Sequence, residues 1–179
     1  GLVKKNSPLV IAKTMAAITL LFMIIASMVM GVPILRDHQY ETQSLIYANP
    51  ITKKDYLLGH FLGSYVVLIF IFSGMIWGMA LGSYMPWVKP DEYLPFQLLN
   101  YLQPFLWVAL PSLTFGAAVF FISSAFSKNL ILVYTQAIFI FVIFMLTKGI
   151  ENPNLQALLD PFSLTTLTKA TENWTIYQR

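Results

Sequence analysis

The sequence predicts an all-α fold, a polytopic membrane helical bundle, and three observations carry that prediction. The 179-residue chain is 57% hydrophobic and only 11% charged, far from the mixture found in a soluble domain. Four segments, residues 14–35, 57–88, 93–127 and 129–147, carry no Asp, Glu, Lys or Arg, and His60 is their only histidine. Each can supply the roughly 20 apolar residues that cross about 30 Å of hydrocarbon. Most charge in the first half of the chain is gathered instead in the 21-residue stretch 36–56, which a membrane protein keeps in water.

The expected architecture is one transmembrane domain over residues 1–179. It has four transmembrane helices at about 14–35, 57–84, 104–126 and 130–147, an aqueous loop at 36–56, and two short interfacial helices within 153–172. A secretory signal is a poor reading of the first run, which is long and is followed by three more. The chain reads as an excerpt of a longer protein, since it starts at Gly1 and stops at Arg179 in loop-like sequence.

Each element has a local reason. Residues 1–13 form a polar approach, and the first span follows, with Pro33 tolerable where the helix is already ending. Residues 39–48 contain neither Gly nor Pro and can form a short surface helix, which Asn49-Pro50 stops. Thr52-Lys53-Lys54-Asp55 reads as a capping box, its Thr hydroxyl and Asp carboxylate satisfying free amides. The second helix therefore starts near Lys53, in water, and runs about 48 Å to Tyr84.

Tyr84, Trp87, Tyr93 and Tyr101 suit an interfacial aromatic belt. Residues 95–102 suit a short helix in that interface. The third span begins near Pro104, a favourable first position, and Pro111 kinks it. A tight turn at Lys128-Asn129 leads into the fourth, whose Phe139, Phe141 and Phe144 face lipid or core. Asn152-Pro153 and Asp160-Pro161 each place a capping residue before a proline, which predicts helices at about 153–159 and 161–172.

Several function classes are disfavoured. A net charge of +3, scattered along the chain, leaves no nucleic-acid footprint. With no cysteine there is no disulfide framework or thiolate metal site. His38 and His60 are too few and too separated in sequence to propose a metal centre. Walker, His-Glu-x-x-His and Gly-x-Ser-x-Gly motifs do not occur, so catalysis within the chain, or a cofactor of its own, is not expected.

The remaining candidates are few. Gly59, Gly63, Gly74, Gly78 and Gly82 share one slowly drifting face of the second helix, where a neighbouring helix can approach closely. His60 lies near the aqueous end of its span, where a hydrogen-bonded structural role fits best. The loop mixes Glu41, Lys53, Lys54 and Asp55 with Tyr40, Leu45, Ile46 and Tyr47, a composition suited to docking a soluble partner. Asn173-Trp174-Thr175 fits the N-glycosylation pattern, a frequent chance match.

The same loop resembles the signature of type-2 ATP-binding-cassette (ABC) transporter permeases. The residues that carry the resemblance are Glu41-Thr42, then Leu45-Ile46-Tyr47-Ala48-Asn49-Pro50-Ile51-Thr52, then Tyr56-Leu57-Leu58-Gly59-His60-Phe61-Leu62-Gly63. Thr42-Gln43 departs from the family's usual Gly-Thr order, and His60 stands where lysine is common. The short turn at Lys128-Asn129 and the paired helices within 153–172 are similar to features between the family's later spans. The four helices would then be spans two to five of six. Leu159-Asp160-Pro161-Phe162 and Trp174-Thr175 resemble a branch fused to a zinc aminopeptidase domain, although no peptidase motif is present.

The resemblance implies a bacterial inner-membrane protein, multi-pass in the cell membrane, that moves a substrate with energy from a separate nucleotide-binding ATPase subunit holding ATP and Mg. Residues 39–48 would be the cytoplasmic coupling helix, with Tyr40, Glu41, Thr42, Leu45, Ile46, Tyr47 and Pro50 at the ATPase. The other partners would be a second permease half and membrane lipid, with the first two helices lining the route. One rule points the other way. The loops on the coupling side hold four basic residues (Arg36, Lys53, Lys54, Lys128) and the opposite side holds seven, so the positive-inside rule would put the coupling loop outside. The competing readings are a non-transporting scaffold or channel, and a membrane-embedded lipid-processing enzyme, which would need a polar cluster within the spans.

Overall fold

The computed structural model describes residues 4–40, 51–127, 129–150 and 152–172, and the regular structure among these residues is entirely helical. The elements are α1 (Pro8–Gln39), α2 (Lys53–Gly82), a 3-10 turn (Pro90–Glu92), α3 (Leu98–Pro104), a π-helical segment (Phe105–Ala109), α4 (Leu110–Ser127), α5 (Leu130–Thr147), α6 (Pro153–Leu158) and α7 (Leu164–Ala170). Three stretches, Pro8–Asp37, Lys53–Gly82 and Leu98–Ser127, are long and apolar enough to cross a membrane, each with 30 residues. At 1.5 Å per residue each is about 45 Å long, more than the hydrocarbon thickness. α5 is apolar but has 18 residues, or about 27 Å.

The helices overrun the apolar runs for identifiable reasons. α1 starts at Pro8, earlier than expected, because proline suits a first helical position where the missing N–H is no loss. Its end passes Pro33 and continues to Gln39, so Arg36, Asp37 and Gln39 belong to α1 and not to the aqueous loop. Gln39 therefore does not open a surface helix, and residues 41–50 lie outside the described residues.

α2 begins at Lys53 as expected. The Thr52 hydroxyl accepts from the Asp55 amide at 3.2 Å, but the Asp55 carboxylate accepts from that hydroxyl at 2.6 Å and not from an amide. The expected interfacial helix at 95–102 and third span are one continuous run, with Pro104 inside it and not at its start. The irregularity attributed to Pro111 is spread over Phe105–Ala109, where the Leu110 N–H reaches back to the Phe105 carbonyl. Pro111 cannot donate to the carbonyl four residues earlier, and a wider turn just before it accommodates that loss.

The chain packs as two compact units. The first takes Gly1–Leu21, Phe72–Ser112 and Ile143–Arg179. Ala12, Ala16 and Val108 form a buried cluster, with Leu164 and Leu167 against it. Asn6 is buried, donates to the Leu94 carbonyl at 2.8 Å and accepts from the Leu94 amide at 2.6 Å. Beside it Lys5 pairs with Glu92 at 2.5 Å, and the Lys4 ammonium donates to the Asp91 carbonyl.

In the same unit the Asn152 side chain caps α6, accepting from Asn154 at 3.0 Å and Leu155 at 3.5 Å. Asp160 does not open a helix at Pro161. Its carboxylate accepts from the Phe162 and Thr165 amides, and Ser163, at φ 59°, breaks the path so that α7 begins at Leu164.

The second unit takes Phe22–Ile71 and Leu113–Val142. Phe61 stacks on Tyr65 and meets Phe121 edge-on, with ring centroids 5.7 and 5.1 Å apart. Tyr65 and Thr114 share a hydroxyl–hydroxyl bond of 2.5 Å. A Cβ on Gly116 would lie 2.6 Å from Met23 Sδ, so this glycine permits close approach of α1 and α4.

Candidate functional site

The second unit holds a polar cluster that no local motif announces. α1 carries Asp37 in its last turn, and α2 carries Tyr56 and His60 in its first two turns. Four residues apart, Tyr56 and His60 lie on one helix face, their rings edge-to-face at 4.5 Å. Both reach the same atom. The Tyr56 hydroxyl donates to Asp37 Oδ2 at 2.7 Å, and His60 Nε2 lies 2.9 Å from that oxygen. Tyr56 is buried, while the Asp37 and His60 side chains are about a fifth and a quarter exposed.

The cluster borders two hollows. One, about 540 Å³, runs beside Val29 and Pro33 of α1 and His60, Gly63, Ser64 and Val67 of α2. Pro33 has no N–H to give the Val29 carbonyl, and both residues border this hollow. The other, about 330 Å³, is bordered by Arg36, Asp37, Tyr40 and His60. His60 faces both. Chemically, the arrangement ties two helix ends together through one carboxylate. Among the described residues no group of three His, Cys, Asp or Glu could hold a metal ion.

The expected docking residues are only partly placed. Tyr40 is 71% exposed, just past the end of α1. Glu41, Thr42, Leu45, Ile46, Tyr47 and Pro50 lie outside the described residues, as do Lys128 and the Asn173-Trp174-Thr175 motif. Gly59, Gly63, Gly74, Gly78 and Gly82 form no seam with another described helix of this chain. A Cβ on any of them would meet nothing within 4 Å.

Sequence reasoning expected a structural role for His60 but missed both of its partners. Asp37 sits 19 residues from Tyr56 and 23 from His60, across an intervening loop. The available signal was that Asp37 would be the last acidic residue before the loop and His60 the lone imidazole after it. Gly116 was missed because a single glycine in an apolar run makes no pattern. No protein-family model, no curated protein and no solved structure matches the chain.

Proposed function

We propose that the chain is part of a membrane permease of the type-2 ABC class, driven by a separate nucleotide-binding ATPase subunit docked on residues 41–50. The observation that carries this reading is the attachment of Asp37 to Tyr56 and His60. It clamps together the two ends of the segment expected to dock, so a push on that segment reaches α1 and α2 as one. α2 then runs 30 residues without a break from its Thr52 cap, a stiff lever for that displacement.

Other features support the same reading. The long helices and α5 serve as four of the spans, and α6 and α7 as short external helices. The apolar spans hold no deep acidic or basic residue in sequence, which suits a transporter powered from outside the membrane. The bare glycine face of α2 is available to a second permease half. ATP and Mg belong to the partner, and the site would be the inner membrane of a bacterium, with the coupling loop in the cytoplasm.

The test is a photocrosslinker at Tyr47 in the parent protein, in native membranes. Capture of an ATP-hydrolysing subunit, with a yield that changes on adding ATP, is the expected result. A probe reached only by impermeant reagents from outside, or capturing nothing cytoplasmic, overturns the proposal and favours a scaffold.

A further inference from the structure

In the first unit, a hollow of about 490 Å³ opens where the end of α5 meets α6 and α7. Two ammonium groups face it, Lys148 just beyond α5 and Lys169 in the last turn of α7. Gln156, Thr165 and Thr168 supply further polar lining. Phe144 and Leu164 supply its apolar surface.

Among the described residues no carboxylate lines the hollow, and the acid between the two lysines in the described sequence, Asp160, is consumed. Its two oxygens accept from the Phe162 amide at 3.0 Å and the Thr165 amide at 2.5 Å, and the residue is buried. Among the described residues the lysines have only neutral partners. Lys148 Nζ sits 5.1 Å from the centre of the Phe144 ring, and Lys169 Nζ is 3.4 Å from Asn154 Oδ1. Neither lysine takes part in the Lys5–Glu92 or His60–Asp37 pair. The Gln156 side-chain amide and the Thr165 hydroxyl also have no hydrogen-bond partner among the described residues. Among the described residues, donors converge on this space with no anionic acceptor to receive them.

Leu146 on the last turn of α5 is 70% exposed, and Leu158 at the end of α6 is 81% exposed. A soluble anion gains nothing from such neighbours, whereas an acyl chain does. We propose that this hollow binds the phosphate headgroup of an anionic lipid. Lys148 and Lys169 hold the phosphate charge, Gln156 and Thr165 donate to its oxygens, and the acyl chains lie against apolar surface. A lysine at a span end commonly reaches to the interface alone. Lys169 is on no span and is half-buried, so that ordinary account does not cover it.

The parent protein is purified into nanodiscs of phosphatidylcholine alone, or of phosphatidylcholine with phosphatidylglycerol, and retained lipids are counted by native mass spectrometry. Selective retention of phosphatidylglycerol is expected. Lys148→Gln and Lys169→Gln should each lower it about fivefold, the worth of one basic residue near an anionic surface, while Lys54→Gln leaves it unchanged. Equal retention of both lipids, or an equal loss in Lys54→Gln, overturns the site. Displacement of the lipid by inorganic phosphate alone overturns the lipid assignment and leaves a soluble-anion site.

Discussion

The two ends of α1 are held by different chemistry. In its last turn, Asp37 is bound by two side chains of α2, Tyr56 and His60. Before its N-terminal end, Asn6 is bound by one backbone unit, the amide and carbonyl of Leu94. A side-chain clamp can be cut by substitution at any of three positions, and one of its groups carries charge. A backbone clamp depends on Asn6 alone and ignores which residue occupies position 94. The first therefore depends on three side chains, and the second on one.

Replacing Asp37 breaks the comparison most sharply. Asp37→Ala leaves the buried Tyr56 hydroxyl and the His60 imidazole without this acceptor, a loss of about 3 kcal/mol for charge-assisted bonds. A thermal melt of the purified protein in detergent should show it, and Asp37→Asn should recover roughly half. No destabilisation in Asp37→Ala would mean that the α1 and α2 ends are held by something else.

Asn6→Ala comes next, at about 2 kcal/mol, roughly 1 for each backbone bond. Substituting Leu94 by Val or Met should leave the melt almost unchanged, because neither bond uses its side chain. A Leu94 substitution as damaging as Asn6→Ala would show that side-chain packing, and not the amide pair, anchors the loop.

How much of this was legible in the sequence follows from the range of each interaction. The Thr52 and Asn152 caps act within three residues, and both were readable. The apolar runs placed the long helices but not their ends. Pro8 and Arg36–Gln39 are polar or turn-prone alone, yet they extend α1 because an existing helix propagates more easily than a new one nucleates. The left-handed Ser163 that shortens α7 follows from Asp160 claiming the Phe162 and Thr165 amides, which no motif encodes. The candidate site was the least legible part. Its members are joined across a loop, and one carboxylate meeting two donors leaves no periodic trace. The glycine pattern was visible, but among the described residues nothing lies within 4 Å of a Cβ built on that face.

The smallest expected effect belongs to the ion pair beside the Asn6 anchor, and it sharpens the contrast between charged and neutral contacts. Lys5 is 61% exposed and Glu92 38%, so water and salt screen them heavily. The hydrogen bond with Lys5, and then its charge, hold the Glu92 carboxyl below its ordinary 4.5, while the same bond and the Glu92 charge raise Lys5 above 10.5. The signs follow. Glu92's contribution is complete above pH 4.5 and is lost as pH falls through its depressed value. Lys5's is complete below pH 10.5 and is lost as pH rises through its elevated one. Between those limits the pair should give a flat contribution, and Lys5→Gln should lower the melting temperature slightly there, by less in high salt. At pH 3 the difference between Lys5→Gln and the parent should narrow, whereas the Asn6→Ala deficit persists because an amide does not titrate. A Lys5→Gln difference that stays constant into acid would mean Lys5 acts through packing of its stem and not through Glu92.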